Sequence, residues 1–256
     1  MSDRAPPEET RGIGVDGCRG GWVWVTAGRR PSAGFAAHLG DIVERFPAGR
    51  ILVDVPIGLP SASNPRRCER LARRLAGARR ASVFTPPARA VFGSPDYASA
   101  NAANRLETGK GLSRQTWNLV PKIRQADDLL QSHRALAGRL MESHPELCFR
   151  VLAGNDLRHY KKTAEGRQER LGVLAARSPA LAAALPEFGR ALGGGVAPDD
   201  LVDAAVLAIV AALPARALAA IPAEPQWDAA GIPMQMVVPL PPGDGPCAVW
   251  GMRRLK

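Results

Sequence analysis

Gly12-Ile13-Gly14-Val15-Asp16-Gly17 is the stretch whose reading decides the fold. Small and apolar residues alternate along it, and it ends in an acid followed by glycine. A buried strand running into a turn reads this way. After Cys18-Arg19-Gly20-Gly21 comes Trp22-Val23-Trp24-Val25-Thr26, rich in aromatic and β-branched residues. The short glycine link predicts an antiparallel hairpin partner, with Trp22 and Trp24 facing the core. Ala33 to His38 reads as a third strand. Asp41 to Phe46 reads as a short helix, because Ile42, Val43 and Phe46 fall at helical spacing.

Ile51-Leu52-Val53-Asp54-Val55-Pro56 is the next clear strand. It is apolar on both faces, which predicts a central position in a sheet. Pro56 must end it, so Asp54 stands at or near a C-terminal strand end, where open α/β sheets place their ligands. Pro60 to Gly138 has a different texture: helical, Arg-rich and broken by Pro86-Pro87 and Gly109-Lys110-Gly111. Pro65 is a candidate helix start running through Cys68, Leu71 and Leu75. Leu112 to Ala137 predicts a long helix interrupted near Pro121. This region is expected to be an insertion or cap on the sheet rather than an independent domain.

A sheet segment returns over Arg139 to Glu146, followed by a helix through Phe149 and Leu152. Two helices are expected between Arg167 and Leu192, and Gly193-Gly194-Gly195 is a flexible break. Asp199-Asp200-Leu201-Val202-Asp203 then opens a strongly apolar helix, with acids where the helix dipole favours them and Asp199 or Asp200 as its N-cap. Met234 to Val238 and Ala248 to Trp250 read as short strands. The whole is an α/β fold: a mixed central sheet flanked by helices, with a helical insertion over about 60–138 and a flexible tail over 1–11.

Composition narrows the function. Hydrophobic residues make up 46% of 256, enough for a proper core. No apolar run reaches the roughly 18 residues of a membrane span, and no signal pattern opens the chain, so a cytoplasmic location is expected. The net charge is +10, and eight arginines against one acid, Glu69, lie between Ser61 and Ala90. Such a patch attracts polyanions, although a high overall Arg and Ala content also produces one. Cys18, Cys68, Cys148 and Cys247 are widely spaced with no C-x-x-C pair, which argues against structural zinc and for incidental thiols.

The acids carry the chemistry. Asp16 and Asp54 end strands too apolar to welcome a charge unless it is paired or binds a cation. Asp200 and Asp203 lie one helical turn apart on one face. Together the four can close a carboxylate cluster suited to Mg²⁺ or Mn²⁺, which prefer oxygen ligands. Two such ions roughly 4 Å apart suit phosphodiester hydrolysis. Each acid also has a structural use, as a turn former, a backbone acceptor, a cap or an arginine partner. Glu142, His144 and Glu146 alternate, so in a strand all three point one way; either glutamate is a candidate further ligand and His144 a candidate proton carrier. Arg19, Arg66, Arg67, Arg89, Lys122, Lys161, Lys162 and Arg167 are candidate phosphate or nucleic-acid contacts.

Gly14-Val15-Asp16-Gly17-Cys18-Arg19-Gly20-Gly21-Trp22, Asp54-Val55-Pro56-Ile57-Gly58-Leu59-Pro60, Val83-Phe84-Thr85-Pro86-Pro87-Ala88-Arg89, Gln115-Thr116-Trp117-Asn118 with Lys122-Ile123, Glu142-Ser143-His144-Pro145-Glu146 and Lys161-Lys162-Thr163 with Gly166-Arg167 resemble, in order, the motifs of the domain of unknown function 429 family. That resemblance implies a predicted nuclease with the ribonuclease H-like fold. The pattern is also similar to Holliday-junction resolvases, in which a first-strand Asp, an acid on a later strand and D-x-x-D on the last helix hold the metals. Asp16, Asp54, Asp200 and Asp203 match those positions, with Asp54 where the resolvases carry Glu.

Two other classes compete with a metal-dependent nuclease. One is a nucleic-acid-binding protein that kept the fold and charges without turnover. The other is an actin-like-fold phosphotransferase, whose phosphate loop also begins at a strand-Asp-Gly turn. Those enzymes duplicate the unit, and only one copy is visible here. Aromatic residues amount to only 5%, and no stacking platform for single strands is evident.

Overall fold

A computed structural model describes residues 12–241 and 252–255. The expected tail over 1–11, Cys247 and the strand expected at Ala248 to Trp250 lie outside the described residues.

The chain opens with β1 (Gly12–Cys18), β2 (Gly21–Ala27) and β3 (Ser32–Ala36), followed by helix α1 (Leu39–Arg45) and β4 (Arg50–Val53). Next come α2 (Cys68–Ala76), α3 (Tyr97–Thr108), α4 (Arg114–Ser132), β5 (Leu140–Glu142), α5 (Pro145–Ala153), α6 (Ala164–Arg177), α7 (Pro179–Leu192) and α8 (Pro198–Ala211). Strands β6 (Leu218–Ile221), β7 (Met236–Pro239) and β8 (Arg253–Arg254) close the described chain. The first five strands form one mixed sheet in the order β3-β2-β1-β4-β5. β2 runs antiparallel to β1 and β3, whereas β1, β4 and β5 are parallel. A smaller sheet, β7-β6-β8, meets the first through a bridge between Ser143 and Val237.

Period-two alternation sorts the main sheet into two covered faces. Val23, Val25, Leu52 and Met141 pack with α5, α6, α7 and α8. Ile13, Val15, Trp22, Trp24, Ile51 and Val53 pack on the other side with α1 and α4. The tryptophans are therefore in the core, as their position in the hairpin predicts. Burial on both faces explains why β1 and β4 read as continuous apolar segments rather than half-polar ones.

The 60–138 segment is the crossover between the parallel strands β4 and β5. Its helix α4 is part of the main architecture: Ile123, Ala126 and Leu130 join the core beneath Val15 and Trp22. Helix α2 instead covers the second sheet, through Leu75 against Ile221 and Met236. Pro121 does not interrupt α4, contrary to expectation. Proline forfeits one backbone hydrogen bond, but Val120 and Ile123 on either side of it are buried in two clusters and hold the helix together. Among the described residues, no helix is long and apolar enough to cross a membrane.

Candidate functional site

The site begins with two glycines. A Cβ on Gly12 would fall 2.1 Å from the Ala212 nitrogen, and one on Gly14 would fall 2.0 Å from the Ala204 oxygen. The backbone of α8 thus lies directly on β1, an approach that needs residues without side chains. Asp16 is next on the same face of β1. Asp203 directly precedes Ala204, so this contact delivers it to Asp16. Parallel pairing of β1 with β4 ends at Val15 and Val53, and the Asp54 N–H donates to the Val15 carbonyl at 3.1 Å. Asp54 shares its face with Leu52, toward α8. Asp16 and Asp54 therefore stand side by side where the parallel ladder ends.

The electrostatics record this convergence. Asp16 is 9% exposed. Burial pushes its carboxyl well above the ordinary range, and the charges of Asp54, Asp203 and Asp200 push the same way. Asp54 is raised by burial despite the pull of His144 and Lys161. Burial lifts Asp203 to about 7, against the attraction of Lys161. The Lys161 Nζ donates to Asp203 Oδ2 at 2.6 Å. Burial alone would lower that ammonium, but Asp203, Asp16 and Asp54 together hold it above its usual value. Asp200 is half-buried at the rim and accepts from the Ala197 N–H at 3.3 Å. The N-cap of α8 is Ala197, with Pro198 next, so neither Asp199 nor Asp200 is the cap. Asp200 serves that helix end from its third position instead.

Three buried polar atoms here have no hydrogen-bond partner: Asp203 Oδ1, Glu146 Oε2 and His144 Nδ1. Such atoms are uncommon in folded proteins and often mark a missing ion, water or ligand. Among the described residues, no three His, Cys, Asp or Glu side chains already form a ready metal-binding group. The donor chemistry still fits a hard divalent cation, because carboxylate oxygens gather in excess and two of them are unsatisfied. Beside them opens a cleft of about 110 Å³, lined by Asp16, Asp54, His144, Ser82, Phe84 and Lys122 among others.

The family model described as "Protein of unknown function (DUF429)" matches residues 14–226. The chain belongs to this family. No curated protein and no solved structure matches it.

Not every expected residue of this DUF429 chain reaches the acids. Glu142 lines the same cleft as Asp16 and Asp54, and it pairs in register with Val53, whose side chain packs on the α4 side of the sheet. Its Oε2 accepts from the Ile57 N–H and from Arg66, both at 2.7 Å. β5 ends there, and α5 begins at Pro145, so Glu142, His144 and Glu146 do not alternate along one strand. His144 lines the cleft, with Nε2 3.2 Å from the Ser82 carbonyl oxygen. Glu146 lies close enough to raise both Asp54 and Asp203, but its Oε1 is held by Arg170 at 2.6 Å.

The expected phosphate contacts divide similarly. The Arg66 side chain is 1% exposed and bound to Glu69 and Glu142, which makes it a structural residue. Arg89 joins Asp127 and Asp228. Arg67 pairs with Glu224 at the surface. Lys122 lies across Gly17 and the Trp22 ring and donates to the Gly21 carbonyl. Arg19, Lys162 and Arg167 are exposed. Lys161 belongs to the acidic cluster itself. Sequence reasoning passed over Ser82 and Phe84, although Phe84 lies in a quoted motif. It also passed over Arg170, whose burial against Glu146 has no local signature.

Proposed function

We propose that this protein is a ribonuclease H-like nuclease that hydrolyses phosphodiester bonds of DNA or RNA with Mg²⁺ or Mn²⁺. The observation that carries the reading is the gathering of Asp16, Asp54 and Asp203, from β1, β4 and α8, at the C-terminal edge of the parallel strands. Burial raises all three and neighbouring carboxylates push the same way, so the site favours added positive charge. The mixed sheet flanked by helices, with one acid on β1, one directly after β4 and one on α8, supports the fold assignment.

Asp16, Asp54 and Asp203 would hold the cation, with Asp200 at the rim. When bound, such an ion polarises phosphate oxygens and lowers the pKa of a coordinated water. In the reaction the water oxygen bonds to phosphorus, the ester P–O bond breaks, and the leaving oxygen gains a proton. His144, which lines the cleft and has an unpartnered Nδ1, is the candidate to take the proton from water. A cleft of about 110 Å³ is well below the ~300 Å³ of ordinary small-molecule pockets. It suits one group of a polymer whose bulk stays outside, which favours a nucleic acid over a small phosphate acceptor.

Labelled branched, single-stranded and double-stranded substrates, incubated with Mn²⁺ or Mg²⁺, test the proposal. Cleavage by the wild type and none by Asp54→Asn is the expected result. Salt-sensitive binding without cleavage at any metal concentration would make the protein a nucleic-acid binder instead. ATP consumption with a small-molecule acceptor would favour the phosphotransferase.

A further inference from the structure

We infer that Lys161 is a built-in cation occupying one of two positive positions in the carboxylate cluster, so that the site takes one divalent ion rather than two. This rests on the metal-dependent reading above and specifies it. The Lys161 ammonium sits 2.6 Å from Asp203 Oδ2, and Asp203 is the most buried acid of the cluster, with its side chain 2% exposed. Asp16 and Asp54 act on the same ammonium. Lys161 thus contacts Asp203 directly and lies within the field of the other two acids, and the lysine side chain is itself only 30% exposed.

A surface lysine that merely drifted to the nearest carboxylate would hang from a loose loop. This one does not. The Arg158 and His159 N–H groups donate to the two Glu169 carboxylate oxygens at 2.8 and 3.1 Å. Thr163 caps α6 through the Gly166 N–H at 3.0 Å, and the Thr163 N–H returns to the Tyr160 carbonyl at 3.0 Å. A Cβ on Gly166 would fall 1.9 Å from the Tyr160 oxygen, so the loop backbone rests directly on the first turn of α6. Residues on both sides of Lys161 are fixed, and the ammonium is delivered to Asp203 by the fold.

The pairing leaves Asp203 with one oxygen engaged and Oδ1 unpartnered. A second divalent ion would compete for Asp203 with an ammonium that the anchored loop holds close to it. One divalent ion leaves the lysine in place. A fixed ammonium beside a bound phosphodiester also neutralises charge that builds up on the reacting group. Asp203 and Lys161 then act as a pair, and the lysine contributes to the reaction without being a general phosphate anchor.

The test is the stoichiometry of Mn²⁺ binding to the full chain, read by calorimetry and by loss of the free-ion paramagnetic resonance signal. The wild type is expected to bind one Mn²⁺ and Lys161→Met two, with cleavage by the variant lowered at least tenfold. Lys161→Arg, which keeps the charge, is expected to bind one. Circular dichroism verifies that each variant is folded, and Lys161→Arg carries the test if Lys161→Met is not. Two ions on the wild type overturn this inference and leave the nuclease reading standing, as does a second ion on Lys161→Arg. No Mn²⁺ on any of the three proteins overturns both.

Discussion

Gly14 faces Ala204 with no room for a side chain, because a Cβ at that position would fall 2.0 Å from the Ala204 carbonyl oxygen. The obstacle is backbone, which cannot rotate away as a side-chain tip can. Gly14→Ala must therefore lift α8 from β1. We expect a loss of about 3 kcal/mol or more in denaturant unfolding, the upper end for overpacked cores. Mn²⁺ binding should weaken as well, since Asp203 rides on the displaced helix. An unchanged unfolding midpoint would mean that α8 does not rest on this strand.

Asp16 illustrates the opposite case, a residue the fold would be more stable without. Its charge is buried and faces Asp54, Asp203 and Asp200. Asp16→Asn removes repulsion while keeping the shape, so at pH 8 without divalent ions the variant should melt above the wild type. A domain of this size gains about 2–4 °C per kcal/mol. Cleavage should be lost in the same protein. A gain in stability together with a loss of function is the signature of a strained site rather than a structural acid. A lower melting temperature would assign Asp16 to the fold.

Much of this was legible in the sequence because it was local. The hairpin, the apolar β4 and the acids on α8 each follow from short-range pattern, and alternation with the glycine turn is enough to place Asp16 and Asp54 near strand ends. What escaped was set by register and by distant partners. That Glu142, at the cleft, is held by Arg66 and the Ile57 N–H depends on its pairing with Val53, a one-residue matter that decides which face the side chain takes. Arg66 reads as a member of a basic run, yet its partner Glu142 lies 76 residues away. Strand β6 carries no polar alternation, because both of its faces are buried. The close approach of Gly14 to α8 had a signal, the Gly-x-Gly spacing, but spacing alone does not say which element comes near.

Arg66 offers a direct contrast between the two readings of the arginine run. As a surface contact, its loss would weaken nucleic-acid binding and little else. The structure gives it a 1% exposed side chain joined to Glu69 and Glu142. Arg66→Met strands two buried carboxylates, and removal of one partner from a buried pair usually costs about 3–5 kcal/mol. We expect a large drop in unfolding free energy, with Glu142→Gln in the same background recovering part of it. A normally stable Arg66→Met protein with weakened nucleic-acid binding would restore the surface role.

The raised acids also fix how stability should vary with pH. Burial carries Asp203 and Glu142 to about 7 in the folded chain, and raises Asp16 and Asp54 as well. Each therefore holds its proton more tightly folded than unfolded. Their favourable contribution is complete below the ordinary carboxylate range and is lost as pH rises through the folded values. Without divalent ions, the melting temperature should fall between pH 5 and pH 8. Cations compete with protons for the same oxygens, so Mn²⁺ should raise the melting temperature more at pH 8 than at pH 5.5. Scanning calorimetry at the two pH values, with and without Mn²⁺, decides the matter. An equal Mn²⁺ shift at both would mean that the ion binds away from these carboxylates. A metal-free melting temperature that rises toward pH 8 would mean that Asp16, Asp54 and Asp203 are more fully compensated than their burial implies, with Lys161 as the compensating charge.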